Sequence, residues 1–191
     1  MEVSWKAIEA YSKLYAKSIY RAIPPYLYVL LLLITAVGIV LIFTNRGVKH
    51  KWQAFDRFVL FEYVALLLCM TVFFRESLDY RAFNLTPFWS YTAESADLQH
   101  SLYVEGLMNV LMFIPFGLLL RGAYKGIGWK MMMVVTVGLS VSVELLQFIF
   151  KRGYAEFDDV MHNALGAVIG FGLYALVETV VKFMHDRRKA V

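Results

Sequence analysis

Residues 25–44 read PYLYVLLLLITAVGIVLIFT, a run without a single charge. A helix that crosses the hydrocarbon of a bilayer needs about 20 mostly apolar residues. Inside that layer there is no water to bond the backbone, so a helix is the conformation open to an isolated run of this kind. The rest of the chain has the same character. Of 191 residues, 60% are hydrophobic and 18% charged, against roughly 45–50% and about 25% in a soluble domain. That excess does not fit within one soluble core. It also excludes a disordered chain, and a single cysteine, Cys69, excludes a disulfide-stapled scaffold. The net charge of +4 needs no nucleic acid to explain it, because cytoplasmic loops of membrane proteins carry surplus Lys and Arg.

Four more apolar runs follow: Phe58–Phe74 with Glu62, Ser101–Leu120 with Glu105 and Pro115, Met131–Phe150 with Glu144, and Val160–Met184. The last carries His162 near its start and a Glu178/Lys182 pair one turn apart near its end. Residues 1–23 differ. At helical spacing, Trp5, Ile8, Tyr11, Tyr15, Ile19 and Ala22 share one face and Lys6, Lys13, Lys17 and Arg21 the opposite one, the pattern of a helix lying in the membrane interface. No signal-peptide pattern is present, so no processing is expected. The expected fold is an all-α membrane protein, a bundle of about five transmembrane helices preceded by an amphipathic interfacial helix.

Lys and Arg counts orient the bundle. With the 75–100 connection outside, the outer loops 75–100 and 151–159 hold four (Arg75, Arg81, Lys151, Arg152), and the inner segments 45–57, 121–130 and 182–191 hold eleven. The N-terminus is then outside and the C-terminus inside. The basic N-terminal helix opposes that direction for the first span.

A charge placed at bilayer depth costs on the order of 2.5–3.5 kcal/mol by insertion scales, so those inside the runs call for a reason. Glu105 and Asn109 fall on one face of the third run, Ser140, Glu144 and Gln147 on one face of the fourth, and Asp159, Asn163, Gly166 and Gly170 on one face of the fifth. The short loop between the fourth and fifth runs adds Arg152, Glu156 and Asp158. All these polar ends fall on the outer side. Each has a plain structural reading: Asn163 and Gln147 as interhelical hydrogen-bonders, Gly166 and Gly170 as a close-packing pair, Asp158 as a helix N-cap and Asp159 as a dipole partner. Glu144 is left over, two turns inside a span, with Arg152 as its expected counter-ion. A pair such as Glu144 with Asp159 could hold a divalent cation or share acid/base work. No Walker loop, dinucleotide fingerprint, nucleophile elbow, CxxC or HExxH spacing occurs.

Four blocks carry a resemblance: Asn84-Leu-Thr-Pro-Phe88, Asn109-Val-Leu-Met-Phe-Ile-Pro-Phe-Gly117, Ser140-Val-Ser-Val-Glu-Leu-Leu-Gln-Phe148, and Arg152 through Gly166. In order and spacing they resemble the VanZ-like family of bacterial membrane proteins, over roughly residues 58–180. The resemblance implies that Asn84, Asn109, Glu144, Gln147, Asp159 and Asn163 are recurrent polar positions. It also implies a link to low-level teicoplanin resistance without replacement of D-Ala-D-Ala by D-Ala-D-Lac. Glu156 departs from the pattern, standing where many relatives have Asp, and so does His162, at a position usually apolar. Residues 1–57 lie outside the four-span pattern.

The expected organisation is an N-terminal unit (1–57, interfacial helix and extra span), a VanZ-like four-helix transmembrane domain (58–184) and a basic cytoplasmic tail (185–191). The aromatic-rich connection 75–100, with Tyr80, Phe83, Phe88, Trp89 and Tyr91, is expected to lie on the outer boundary and partly cover the polar cluster. The candidate pocket is Asn84, Glu105, Asn109, Glu144, Gln147, Arg152, Glu156, Asp158, Asp159 and Asn163, with no metal or cofactor expected. The implied setting is the bacterial cytoplasmic membrane, crossed several times. The implied partners are membrane lipids and a lipid-linked cell-wall precursor or a glycopeptide. The alternative is a membrane-embedded enzyme acting on a lipid-linked substrate through carboxylate acid/base groups.

Overall fold

The computed structural model describes residues 24–92 and 95–189; the interfacial helix expected for 1–23 lies outside them. In chain order the elements are α1 (Pro25–Thr44), α2 (Lys51–Leu68), a π-helical turn (Cys69–Phe73), β1 (Ala82–Asn84), a 3₁₀ turn (Trp89–Tyr91), α3 (Ala96–Ala123), α4 (Trp129–Phe150), β2 (Tyr154–Glu156) and α5 (Phe157–Lys189).

Local chemistry sets the helix ends. Pro25 opens α1 where a missing N–H costs nothing. Ser95 caps α3, its hydroxyl accepting from Leu98 N–H at 3.2 Å. α4 ends on Lys151 in the left-handed region, φ 57°, so that Arg152 N–H turns back to Gln147 O at 2.8 Å. Pro115 lies inside α3 and leaves the carbonyl four residues back without its N–H. One residue along, Tyr63 of α2 donates its hydroxyl to Met112 O at 2.5 Å, so a neighbouring helix supports the weakened turn.

Burial runs opposite to that of a water-soluble bundle. The inward column of α4 is polar, with Thr136, Ser140, Glu144 and Gln147 all buried, while Val134, Leu145 and Ile149 of the same helix are exposed. α1 exposes most of its leucines and valines. Exposed apolar faces on this scale mark contact with something apolar, and α1, α3, α4 and α5 are each long and apolar enough to cross a bilayer. α2 is not among these four: it begins at Lys51, earlier than the run expected from residue 58, and carries Asp56, Arg57 and Glu62.

α3 and α5 form the central contact. They run parallel, in register at Gly106 beside His162, Val110 beside Gly166 and Ile114 beside Gly170. The carbonyl oxygens of Val110, Ile114 and Ala167 occupy the space where Cβ atoms of Gly166, Gly170 and Gly117 would stand. These backbones therefore approach as closely as small residues allow, and the close-packing reading of Gly166 and Gly170 holds. Beside this seam Phe113, Phe116, Leu120, Met132, Val143 and Ala167 form the apolar core with Leu60, Leu67 and Val72 of α2 and its π turn.

Two features correct the sequence reading. A small parallel pair joins β1 to β2, with Ala82 opposite Tyr154, Phe83 opposite Ala155 and Asn84 opposite Glu156; no strand was expected. The expected Glu178/Lys182 pair is replaced by an ion pair from Glu178 to Arg121 of α3 at 2.9 Å. Arg121 also donates to Ile127 O at 3.0 Å, and Arg57 donates to Ala123 O at 3.0 Å. Cations of two helices thereby bond carbonyls at and just beyond the end of α3.

Candidate functional site

At the end where α3 and α5 begin and α4 ends, helix periodicity brings three polar columns together: Glu105 and Asn109 on α3, Ser140, Glu144 and Gln147 on α4, and Asp159 and Asn163 on α5. Glu144 Oε2 accepts the backbone N–H of Glu156 at 3.0 Å, which ties the end of α4 to β2. The Asn109 side chain hydrogen-bonds the Asp159 carboxylate. Below that level Asn163 Nδ2 donates to Ser140 Oγ at 2.8 Å. Gln147 reaches sideways instead and donates to Thr71 O in the π turn at 3.1 Å.

The cation of the cluster is Arg75. Its guanidinium acts on Glu105, Glu144 and Asp159 together. This corrects the expectation for Arg152, which does not pair with Glu144 but donates to the backbone carbonyl of Arg75 and so fixes where that chain segment sits. Gly153 makes room for the Arg75 side chain: a Cβ there would fall 2.8 Å from the guanidinium carbon, and its φ of 129° is itself one that side-chain-bearing residues avoid. In the sequence Arg75 reads as one of four loop cations. The overlooked signal is its place immediately behind a span, at the same end of the bundle as Glu105, Glu144 and Asp159.

The 85–92 segment is strapped to the junction of β2 and α5, beside the cluster. Asp158 holds it, its Oδ1 accepting from Phe88 N–H at 2.6 Å and its Oδ2 from Ser90 N–H at 3.0 Å and Ser90 Oγ at 2.6 Å. These bonds support Phe88 at φ 63°, a left-handed conformation that is an outlier for a bulky residue. Asp158 is therefore a long-range clamp and not the expected cap of its own helix. Trp89 Nε1 donates to Glu156 Oε2 at 3.0 Å. Burial, and then the neighbouring Asp159 charge, push the Glu156 carboxyl up to about 8 despite the indole bond.

Asn84, like Gln147 and Arg152, does not join the cluster through its side chain. Its Oδ1 accepts from Thr86 N–H at 3.0 Å and shapes the turn after β1, while its backbone pairs with Glu156. His162 stands one position off the α5 column and meets the Tyr91 hydroxyl through Nε2 at 2.6 Å. Ser90 and Arg75 are the functional neighbours that the sequence reading missed; Trp89 was expected there only as one of the covering aromatics. Among the described residues no group of three or more His, Cys, Asp or Glu is arranged to hold a metal ion. Chemically the cluster offers carboxylate and amide acceptors for a ligand amine or hydroxyl, and at Glu156 a carboxyl that keeps its proton near neutral pH.

A protein-family model described as VanZ/LLP1 matches residues 26–178. The matched region starts in α1, earlier than the residue 58 at which the motif resemblance begins. Protein VanZ of Enterococcus faecium is 40% identical over 96 residues, which are 50% of this chain and 54% of that protein. The chain thus spans about half the length of this curated relative. No solved structure matches the chain.

Proposed function

The chain belongs to the VanZ/LLP1 family, and from that premise we propose that it is an accessory protein of the bacterial envelope that lowers susceptibility to teicoplanin-type glycopeptides. It does so by engaging lipid headgroups or a lipid-linked cell-wall precursor at the cluster of Glu105, Glu144 and Asp159. The feature that supports this reading is the clustering of carboxylates from three helices within the electrostatic reach of Arg75, beside an aromatic strap. Charged groups at bilayer depth are costly, and where they persist they mark a functional site by default. Because the carboxylates outnumber Arg75, the one cation among the described residues that acts on all three, the ligand group best suited to them is an amine.

In this reading the protein is a multi-pass protein of the cytoplasmic membrane with five spans. α2 crosses despite its charges, because Glu62 is buried and bonded by the Thr35 hydroxyl of α1 at 3.0 and 3.2 Å. The strap end faces outward, in keeping with eleven Lys and Arg in the other connections and tail against four at the strap end.

The test is teicoplanin susceptibility of a bacterial host making the unaltered chain, Glu144→Ala or Asp159→Ala, with membrane-inserted protein quantified in each. Both variants are expected to lose the protection while remaining inserted. Protection that survives in well-inserted variants overturns the assignment of these residues.

A further inference from the structure

The carboxylates and the guanidinium of the cluster stand near one another without touching. Arg75 is half-buried. Arg152 bonds its backbone carbonyl, and its side chain lies against Gly153, where a Cβ would fall 2.8 Å from the guanidinium carbon. Among the described residues the one ion pair within 4.0 Å is Arg121 with Glu178, and no hydrogen bond engages the Arg75 guanidinium. It is still close enough to act on Glu105, Glu144 and Asp159. Opposite charges attract strongly where the dielectric is low, so a set serving structure alone gains most by closing into contact. The acids are equally open. Glu105 accepts no hydrogen bond among the described residues, and Glu144 uses only Oε2, toward Glu156 N–H.

These free atoms reach the molecular surface. Among the described residues, the fully buried side-chain nitrogens and oxygens without a partner are Gln147 Oε1, His162 Nδ1 and Asn163 Oδ1. The Arg75 guanidinium nitrogens, the Glu105 oxygens and Glu144 Oε1 lack partners too but are not in that set, so each is accessible. Glu144 is only 7% exposed, and that small share includes its free oxygen. A ligand can therefore reach both signs of charge. A primary ammonium carries three N–H donors, and three helices supply one carboxylate each: Glu105 from α3, Glu144 from α4 and Asp159 from α5. A guanidinium presents a planar fork suited to two phosphate oxygens. Asp159 is the third residue of α5, which puts the cluster toward the ends of the apolar helices, where headgroups begin.

We propose that the cluster binds the phosphoethanolamine headgroup of a membrane lipid, its ammonium shared by Glu105, Glu144 and Asp159 and its phosphodiester held by Arg75 beside Gly153. This rests on the site assigned above and names the headgroup it takes. Native mass spectrometry of the full chain in detergent tests it, by titration with phosphatidylethanolamine, phosphatidylcholine or phosphatidylglycerol of identical acyl chains. Phosphatidylcholine keeps the phosphate but has no N–H on its cation, and phosphatidylglycerol has no cation. Phosphatidylethanolamine is expected to bind about tenfold tighter than either, a difference of about 1.4 kcal/mol, the scale of one hydrogen bond to a charged group. Glu105→Gln should cut the preference over phosphatidylcholine severalfold, and Arg75→Gln should weaken all three lipids by a similar factor. Should a variant fail to insert, the three-lipid comparison on the unaltered chain decides alone. Equal binding of the three lipids, a preference undiminished in Glu105→Gln, or displacement by equimolar soluble O-phosphoethanolamine overturns the proposal. Equal binding together with lost teicoplanin protection in Glu144→Ala would strike the headgroup alone. Protection that survives in that variant would strike the role of the site and leave the lipid measurement standing.

Discussion

Removing the Asp158 carboxylate strands three donors at once: two strap amides and the Ser90 hydroxyl. A buried donor left unmet costs about 1–3 kcal/mol, and Phe88 would lose the bond that supports its left-handed backbone. Asp158→Ala is expected to lower stability by about 3 kcal/mol, read as thermal unfolding in detergent, and to speed proteolysis within residues 85–92. Glu156 gives a pH signature. The unfolded chain releases this proton near pH 4.5 and the folded chain near 8, so the unfolded state binds fewer protons in that window. Stability therefore falls as pH rises through it and levels off above. Glu156→Gln should flatten the decline in melting temperature measured from about pH 5 to about pH 9. Glu144 was legible in the sequence because a carboxylate two turns inside an apolar span has few bland explanations, and Asp159, explicable alone as a dipole partner, through its place on one helical face with Asn163. Arg75 was not: no periodic segment contains it, and its partners at 105, 144 and 159 reach it only through the packing of other helices.

Among the elements, the α3–α5 seam tolerates least. Ile114 O occupies the place of a Cβ on Gly170, so Gly170→Ala forces the two helices apart, at about 1–3 kcal/mol for overpacking. Gly172, two residues on, meets nothing within 4 Å. Gly172→Ala should be neutral or stabilising by roughly 0.5–1 kcal/mol, as alanine replaces glycine in a helix. Unfolding of the two variants in one detergent checks the contrast. This seam could be read from Gly166 and Gly170 at helical spacing. The β1–β2 pair could not, because three residues in each of two loops show no period and acquire partners only when α4 and α5 carry residues 154–156 beside residues 82–84.

For the molecule as a whole, the expected orientation puts the strap and the 121–130 connection on opposite sides of the membrane. In a Cys69→Ser background, a membrane-impermeant maleimide should label Glu76→Cys on intact cells and Lys125→Cys only after permeabilisation; both positions are exposed. Labelling in the reverse order would invert the bundle. The strap also imposes a timetable on the growing chain. Ser90 and Asp158 are 68 residues apart, and ribosomes add about 5–20 residues each second. For roughly 3–14 s the nascent protein therefore carries Glu105, and later Glu144, toward the bilayer before the residues that hold the strap exist. Biogenesis must shelter those acids in the interim, and the site closes only once synthesis has passed residue 158.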